Sequence, residues 1–250
     1  MIPKVIHYCW FGRNPLPKSA VRCIESWKKF LPDYEIKEWN EDNFDVNIIT
    51  YTAEAYQTKK YAFVSDYARF WILYNYGGLY FDTDVQVIRN MDHIIAKGPF
   101  MGFEQPSEEI KRQNLCDGLG VNPGLGLGVN PGLGLYKELL DYYQNLHFLG
   151  SNGLPNPITI VRHTTNVLKQ KGMVANNELQ QVCGVWIYPW SVFCPQNFST
   201  KKTYISEDTV SIHLYSDSWS GKKGRFKKSV QRFLGTSITQ FIVSIKHLFI

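Results

Sequence analysis

Three aspartates and one arginine in a short stretch have the types and spacing for chemistry on a charged substrate. Asp82-Thr83-Asp84 follows an apolar run, Leu79-Tyr80-Phe81, and Asp66 and Arg69 stand three apart just upstream. In an extended chain the side chains at i and i+2 point the same way. The spacing therefore predicts that both carboxylates leave a strand end on one face, with Thr83 opposite. Like charges brought together in a poorly solvated site repel, so the pair needs a cation, a proton or a basic partner. A hard divalent ion meets that need with oxygen ligands and keeps positions open for substrate phosphates. Asp66 and Arg69, one helical turn apart, share a face and could point at the same cleft. The plain alternative is a turn that ends a strand beside a surface ion pair, since Asp-x-Asp alone is common.

The elements that would position these residues follow from periodicity. Asp66, Tyr67, Phe70, Trp71 and Tyr74 fall at helical spacing, which predicts an amphipathic helix with one buried stripe. Gly77-Gly78 ends it, because glycine readily takes the left-handed conformation of a helix stop. Upstream, Lys4 to Trp10 reads as a strand and Lys18 to Leu31 as a helix with Val21, Ile24, Trp27 and Leu31 on one side. Pro32-Asp33 breaks it, and Tyr34 to Trp39 is the next strand. Strand, helix, strand at this spacing is a βαβ unit, and such sheets bind ligands beyond the carboxyl ends of their strands. Trp10, at the first of those ends, suits either the core or a flat platform for a nucleotide base. Downstream, strands are expected over 85–88, 99–104, 182–193 and 209–214, and helices over 136–148 and 158–171. Val210, Ile212 and Leu214 alternate, which puts His213 on the opposite face, ahead of a Ser216-Asp217-Ser218-Trp219 turn.

An octapeptide, GLGVNPGL, occurs at 118–125 and again at 126–133. Two copies are too few for a solenoid. Glycine at this density predicts a flexible or turn-rich segment rather than a packed element, with one copy a duplication that lengthens a loop.

With 250 residues, 44% of them hydrophobic and 15% aromatic, the chain can bury one large core. The net charge of +5 is unevenly placed: residues 222–250 hold seven basic residues and no acid, leaving 20 basic and 22 acidic in 1–221. The body is therefore no nucleic-acid binder. Phe226, Val230, Phe233, Leu234, Ile238, Phe241, Ile242, Ile245 and Phe249 recur at helical spacing in that basic tail. A stripe beside a basic patch is the pattern of an interfacial helix on an anionic membrane, and a final helix packed on the body is the alternative. Five cysteines form no CxxC pair, which favours a reducing compartment over zinc or disulfides. The opening residues lack the pattern of a signal peptide, so the expected location is cytoplasmic, peripheral at the inner face of the cell membrane.

The order helix with Asp66-x-x-Arg69, Gly-Gly, apolar strand, Asp82-x-Asp84 resembles the sugar-binding region with the DXD motif of a glycosyltransferase family. That family includes yeast outer-chain mannosyltransferases and bacterial capsule enzymes, and the catalytic domains of large clostridial toxins are related. The opening IPKVIHYCWFG is similar too. The resemblance implies an α/β fold: a single GT-A-like domain over 1–221, a Rossmann-like mixed sheet flanked by helices, followed by the amphipathic tail of 222–250. It implies a retaining hexosyltransferase that uses Mn²⁺ or Mg²⁺, a nucleotide-sugar donor (a UDP-sugar favoured) and a glycan acceptor, lipid-linked in capsular or surface polysaccharide synthesis. Asp84 and Asp82 would hold the metal with Ser218 and His213, although Asp217 could replace the histidine. Asp66, Arg69 and Asp82 would hold the donor sugar and ribose, Trp10, Tyr8, Ser218 and Trp219 the rest of the donor. An acceptor-side asparagine is either Asn122 or Asn130.

Two other classes fit parts of the chain. An aspartyl-phosphate phosphatase would use Asp82 as nucleophile and Asp84 as acid and base, but its Asp-x-Asp belongs on the first strand. A non-catalytic carbohydrate-binding protein would explain the aromatics, without metal or nucleotide release.

Overall fold

The computed structural model describes residues 1–108, 119–156 and 158–216. Met1–Tyr215 form one compact unit and Ser216–Ile250 a second, of which only Ser216 is described. The expected tail helix, the 221/222 boundary, Asp217, Ser218 and Trp219 lie outside the described residues.

The chain opens with the expected βαβ unit: β1 (Val5–Cys9), α1 (Lys18–Phe30) and β2 (Glu35–Trp39), with β1 and β2 parallel in register Val5↔Glu35 to Cys9↔Trp39. In α1 the buried residues are Ala20, Cys23, Ile24 and Trp27, whereas Val21 is 41% exposed. A helix of about 3.6 residues per turn carries Val21 away from that stripe, so the expected burial of Val21 is corrected. Helices α2 (Thr50–Gln57) and α3 (Tyr61–Tyr76) follow.

Helix α3 is buried on most sides rather than along one stripe: Val64, Ala68, Ile72 and Leu73 are fully covered, while Trp71 and Tyr74 are only half-buried. A helix apolar nearly all round belongs in a core. Gly77 and Gly78 then turn the chain with φ of +65° and +98°, and a Cβ on Gly78 would come 2.6 Å from the Val5 carbonyl oxygen. Glycine is required there for both reasons.

Strand β3 (Gly78–Tyr80) pairs parallel with β1, and β4 (Val85–Val87) leaves the main sheet. After α4 (Asp92–Lys97) come β5 (Phe100–Gly102), β6 (Leu127–Val129), α5 (Gly134–Gln144) and α6 (Ile160–Gln170). The described residues end with β7 (Gln180–Val182), β8 (Val185–Tyr188), α7 (Trp190–Phe193) and β9 (Ser211–His213). Among the described residues the main sheet has seven strands in the order β2-β1-β3-β6-β5-β8-β7, with β6 and β7 antiparallel to their neighbours. It is the mixed, helix-flanked α/β sheet that was expected. Two apolar clusters cover its faces, one built around Tyr67, Phe70, Tyr136 and Tyr143, the other around Ile6, Trp27, Phe81 and Phe193.

Two sequence expectations give way here. The strand expected over 182–193 is a hairpin followed by a helix: Cys183 and Gly184 both have positive φ, 49° and 78°, which suits a tight turn between antiparallel strands, and Pro189 precedes α7. The repeat is not a loose loop either. Its second copy supplies β6, at the centre of the main sheet between β3 and β5. Gly128 lets the Phe100 ring lie flat on that strand, because a Cβ there would overlap the ring. The glycines that weaken strand propensity here admit an aromatic in close packing.

Candidate active site

The site lies beyond the carboxyl ends of β1 and β3. Asp82 and Asp84 meet there, but through a turn rather than along an extended strand: the Val85 amide donates to the Asp82 carbonyl at 3.0 Å, folding the chain back into β4. Strand β4 pairs antiparallel with β9, register Val85↔His213, and the Leu214 amide donates to the Asp84 carbonyl at 2.9 Å. On the other side of β4, Trp27 Nε1 donates to the Val85 carbonyl at 2.7 Å and Ser26 Oγ accepts from the Val87 amide at 3.0 Å. A strand outside the main sheet thus has its polar backbone satisfied on both edges.

Arg69 joins the two halves of the motif. One of its terminal nitrogens lies 2.9 Å from Asp66 Oδ1 and 3.2 Å from Asp82 Oδ1, and the Arg69 side chain is only 4% exposed. A surface ion pair is therefore excluded. Nε donates to the Ser65 carbonyl at 3.1 Å, and the guanidinium stands 4.9 Å from the centroid of the Tyr80 ring, whose hydroxyl donates to Asp82 Oδ1 at 3.0 Å. Asp84 finds His213 Nε2 at 3.1 Å. Three carboxylates thus share one guanidinium and one imidazole.

The electrostatics follow from that count. Burial pushes Asp66 up to about 7, with Arg69 pulling it back and Asp82 pushing it further. Burial also raises Asp82 against the pull of Arg69, and Asp84 adds to the rise. Burial works against a charged His213, yet Asp84 overrides it and holds the imidazole well above its ordinary value. The imidazolium is the positive charge facing Asp84. An ion bound through that nitrogen would have to displace its proton.

Asp82, Asp84 and His213 each offer a donor atom within 4.8 Å of the other two. Two carboxylates and an imidazole are a fitting set for a divalent ion, and an anionic corner that otherwise needs a proton to balance it is a physical reason for one.

Residues 17–101 match the family model described as the glycosyltransferase sugar-binding region containing the DXD motif. Over this segment the chain is similar to a glycosyltransferase sugar-binding region. Inositol phosphoceramide mannosyltransferase 3 of Schizosaccharomyces pombe is 32% identical over 114 residues, 42% of this chain and 31% of that protein. Inositol phosphoceramide mannosyltransferase 1 of the same yeast is 28% identical over 111 residues, 40% of this chain and 33% of that protein. The chain covers about a third of the length of these curated relatives. The solved structure of PaToxG glycosyltransferase is similar at 19% identity with a TM-score of 0.47, over 68% of this chain and 70% of that one.

Around the DXD turn the remaining candidates separate. Trp10 is half-buried, its Nε1 donates to the Asn14 carbonyl at 2.6 Å, and it lines a cleft of about 440 Å³ with Arg13, Asn14, Pro15, Glu38, Asn40, Glu41 and Asp42. That cleft opens past the carboxyl ends of β1 and β2. Tyr8 is buried, edge-on to Trp27, with its hydroxyl donating to Glu38 at 2.6 Å. It holds a residue of the cleft wall rather than lining the cleft.

The two asparagines have different places. Asn122 is buried; its Oδ1 accepts from the Gly124 amide at 2.8 Å, and the Gly124 carbonyl accepts from the Asp82 amide at 3.1 Å. Asn130 follows Val129, which pairs with Gly78 at the start of β3, so it sits at the other end of the strand from Asp82. The structure brings Asn122 to the site and leaves Asn130 away from it. For the phosphatase alternative, Asp82 Oδ1 is already held by Tyr80 and Arg69, a poor state for a nucleophile.

Sequence reasoning passed over Tyr80, Glu104, Tyr215 and Gly124. Tyr80 carried a usable signal, since it stands two residues before Asp82 on a strand and so shares its face. Glu104 carried none: its partners Asn122 and Tyr215 lie far along the chain, at 2.9 and 3.2 Å from Oε1. Among the described residues no helix is long and apolar enough to cross a membrane.

Proposed function

We propose that the chain is a metal-dependent glycosyltransferase that moves a hexose from a nucleotide-sugar to a hydroxyl of a glycan acceptor with retention of configuration, using Mn²⁺ or Mg²⁺. One observation carries this reading: at the end of β3, Arg69 ties Asp66 to Asp82 while His213 faces Asp84. A divalent ion held by Asp82, Asp84 and His213, with Ser218 as the fourth ligand implied by the resemblance, would supply Lewis-acid stabilisation of the departing diphosphate.

The chain's own groups bind and orient. Arg69 is fixed by the Ser65 carbonyl and the Tyr80 ring, so it and Asp66 can grip sugar hydroxyls with little reorganisation. Asp82 holds the ribose side, Trp10 gives the base a flat wall, and Asn122 faces the acceptor side. Transfer proceeds by front-face attack. The acceptor oxygen bonds to the anomeric carbon on the side from which the diphosphate leaves, and its proton passes to a phosphate oxygen. Asp66, Asp82 and Glu104 all hold partners already, which disfavours a covalent glycosyl intermediate.

The resemblance favours a UDP-hexose, and the curated relatives carry mannosyltransferase in their names. The test is therefore a panel of UDP-glucose, UDP-galactose and GDP-mannose with Mn²⁺ or Mg²⁺, reading the released nucleotide. Release is expected from one donor, lost in excess EDTA and in Asp84→Asn; full activity in either condition overturns the metal role. The basic tail would seat the enzyme at the cytoplasmic face of the membrane beside a lipid-linked acceptor in surface or capsular polysaccharide synthesis. Flotation with anionic liposomes at low salt, lost in a chain ending at Gly221, is the matching check.

A further inference from the structure

Glu104 is buried at 5% exposure and stands outside the Asp82, Asp84 and His213 set. Its backbone is pinned just past β5, the amide donating to the Gly120 carbonyl at 2.8 Å. Its Oε1 accepts from Asn122 Nδ2 at 2.9 Å and from the Tyr215 hydroxyl at 3.2 Å. Each partner leads to a different wall of the candidate metal site. Asn122 Oδ1 holds the Gly124 amide at 2.8 Å, and the Gly124 carbonyl receives the Asp82 amide at 3.1 Å. Gly124 also lies against the Asp82 carboxylate, since a Cβ on it would overlap Oδ2. On the other wall the Tyr215 ring packs on the His213 ring with centroids 4.2 Å apart, and the Tyr215 hydroxyl also meets Cys194 Sγ at 3.0 Å.

We propose that Glu104 is a positioning residue for metal binding, setting Asp82 from one side and His213 from the other. This rests on the metal-dependent reading above. The logic is geometric. Asp82 and His213 come from segments far apart in sequence, and donor atoms must be placed within a few tenths of an ångström to bind one ion. A buried carboxylate strengthens the hydrogen bonds it accepts, and a single acceptor atom shared by both walls fixes their separation. Partners that orient metal ligands from behind are commonly worth about 10- to 100-fold in affinity.

The test measures Mn²⁺ binding to the full chain in the absence of donor, by electron paramagnetic resonance of free Mn²⁺, beside a thermal melt. Glu104→Leu is expected to weaken Mn²⁺ binding by about 10- to 100-fold. Glu104→Gln keeps an oxygen that accepts both bonds and is expected to stay much closer to wild type than Glu104→Leu does. Tyr215→Phe and Asn122→Ala, each cutting one arm, are expected to fall between. A folded Glu104→Leu that binds Mn²⁺ like wild type overturns the proposal, and so does a Glu104→Gln as weak as Glu104→Leu. Should Glu104→Leu fail to fold, unchanged binding in both single-arm variants overturns it instead. Wild type that binds neither Mn²⁺ nor Mg²⁺ overturns the metal-dependent reading and this proposal with it, whereas a wild type that binds and a Glu104→Leu that binds equally overturn this proposal alone.

Discussion

The octapeptide GLGVNPGL is present twice in succession and takes two unrelated structures. In the first copy Val121 makes a single bridge to Phe103, and Asn122 closes a turn on its own Gly124 that reaches over Asp82. In the second copy Leu127–Val129 is a central strand, and its Asn130-Pro131-Gly132 leads into α5 with the Gly132 amide donating to the Tyr74 carbonyl at 2.7 Å. Between the bridge at Val121 and the pairing of Gly128 with Phe100, the repeat advances further than β5 does, and the surplus is looped out as the Asn122 turn. Identical letters cannot carry the difference. The partners do: open edges of β3 and β5 take one copy as a strand, and buried Glu104 takes the other as a turn. Local propensity is a weak guide where tertiary pairing decides.

Deleting one copy is the strongest way to break this comparison, because removal of either leaves the same sequence. A single octapeptide cannot be both the strand and the turn, so the shortened chain is expected to yield no cooperatively folding protein, read by soluble yield and thermal melt. A shortened chain that folds and turns over donor would mean that the two copies are interchangeable.

Equivalent glycines sharpen the contrast. Gly124→Ala drives a methyl into the Asp82 carboxylate, whereas a Cβ on Gly132 meets nothing within 4 Å. Misplacement of a catalytic group by about an ångström costs on the order of 100-fold, and nucleotide release in Gly124→Ala should fall by that order with its melt near wild type. Gly132 has φ of +78°, so Gly132→Ala should cost about 1–2 kcal/mol of stability and no turnover.

Gly128→Ala tests the strand copy alone. Overlap with the Phe100 ring should destabilise by about 1–3 kcal/mol, as overpacking does, while Mn²⁺ affinity stays put. An altered affinity with an unchanged melt would contradict the division of labour between the copies.

The asparagines compare the two copies at one further position. Asn122→Ala removes a donor to buried Glu104 and should cost about 1–3 kcal/mol, together with a loss of turnover. Asn130 makes no side-chain hydrogen bond among the described residues, and Asn130→Ala should change stability by no more than about 0.5 kcal/mol. Equal losses in the two variants would remove the reason for placing only one of them at the site.

The chemistry was legible wherever it was local in sequence. Asp66-x-x-Arg69 and Asp82-x-Asp84 are each read within one turn of chain, and both converge as expected, although Asp84 arrives by a turn that the strand rule did not foresee. The opening βαβ unit was legible because Pro32-Asp33 marks its break. Strand β6 was not, because its glycines argue against a strand until Phe100 is seen lying on one of them. Glu104 and Tyr215 were illegible for a further reason: a carboxylate held by a residue more than a hundred positions away leaves no periodic trace.

The pairing of β4 with β9 has a consequence for how the protein is made. All seven strands of the main sheet precede residue 189, and so do both aspartates of the motif. His213 and the partner strand of β4 are translated later. A nascent chain halted before residue 211 can therefore build its central sheet while one edge of β4 stays bare and the acidic corner lacks its imidazole. Such an edge is a known hazard for association with other strands. If this set holds an ion, competence to bind it would arrive with β9 rather than with the core, so a chain halted before residue 211 should accumulate as a folded but inert body that is prone to pair with its own copies.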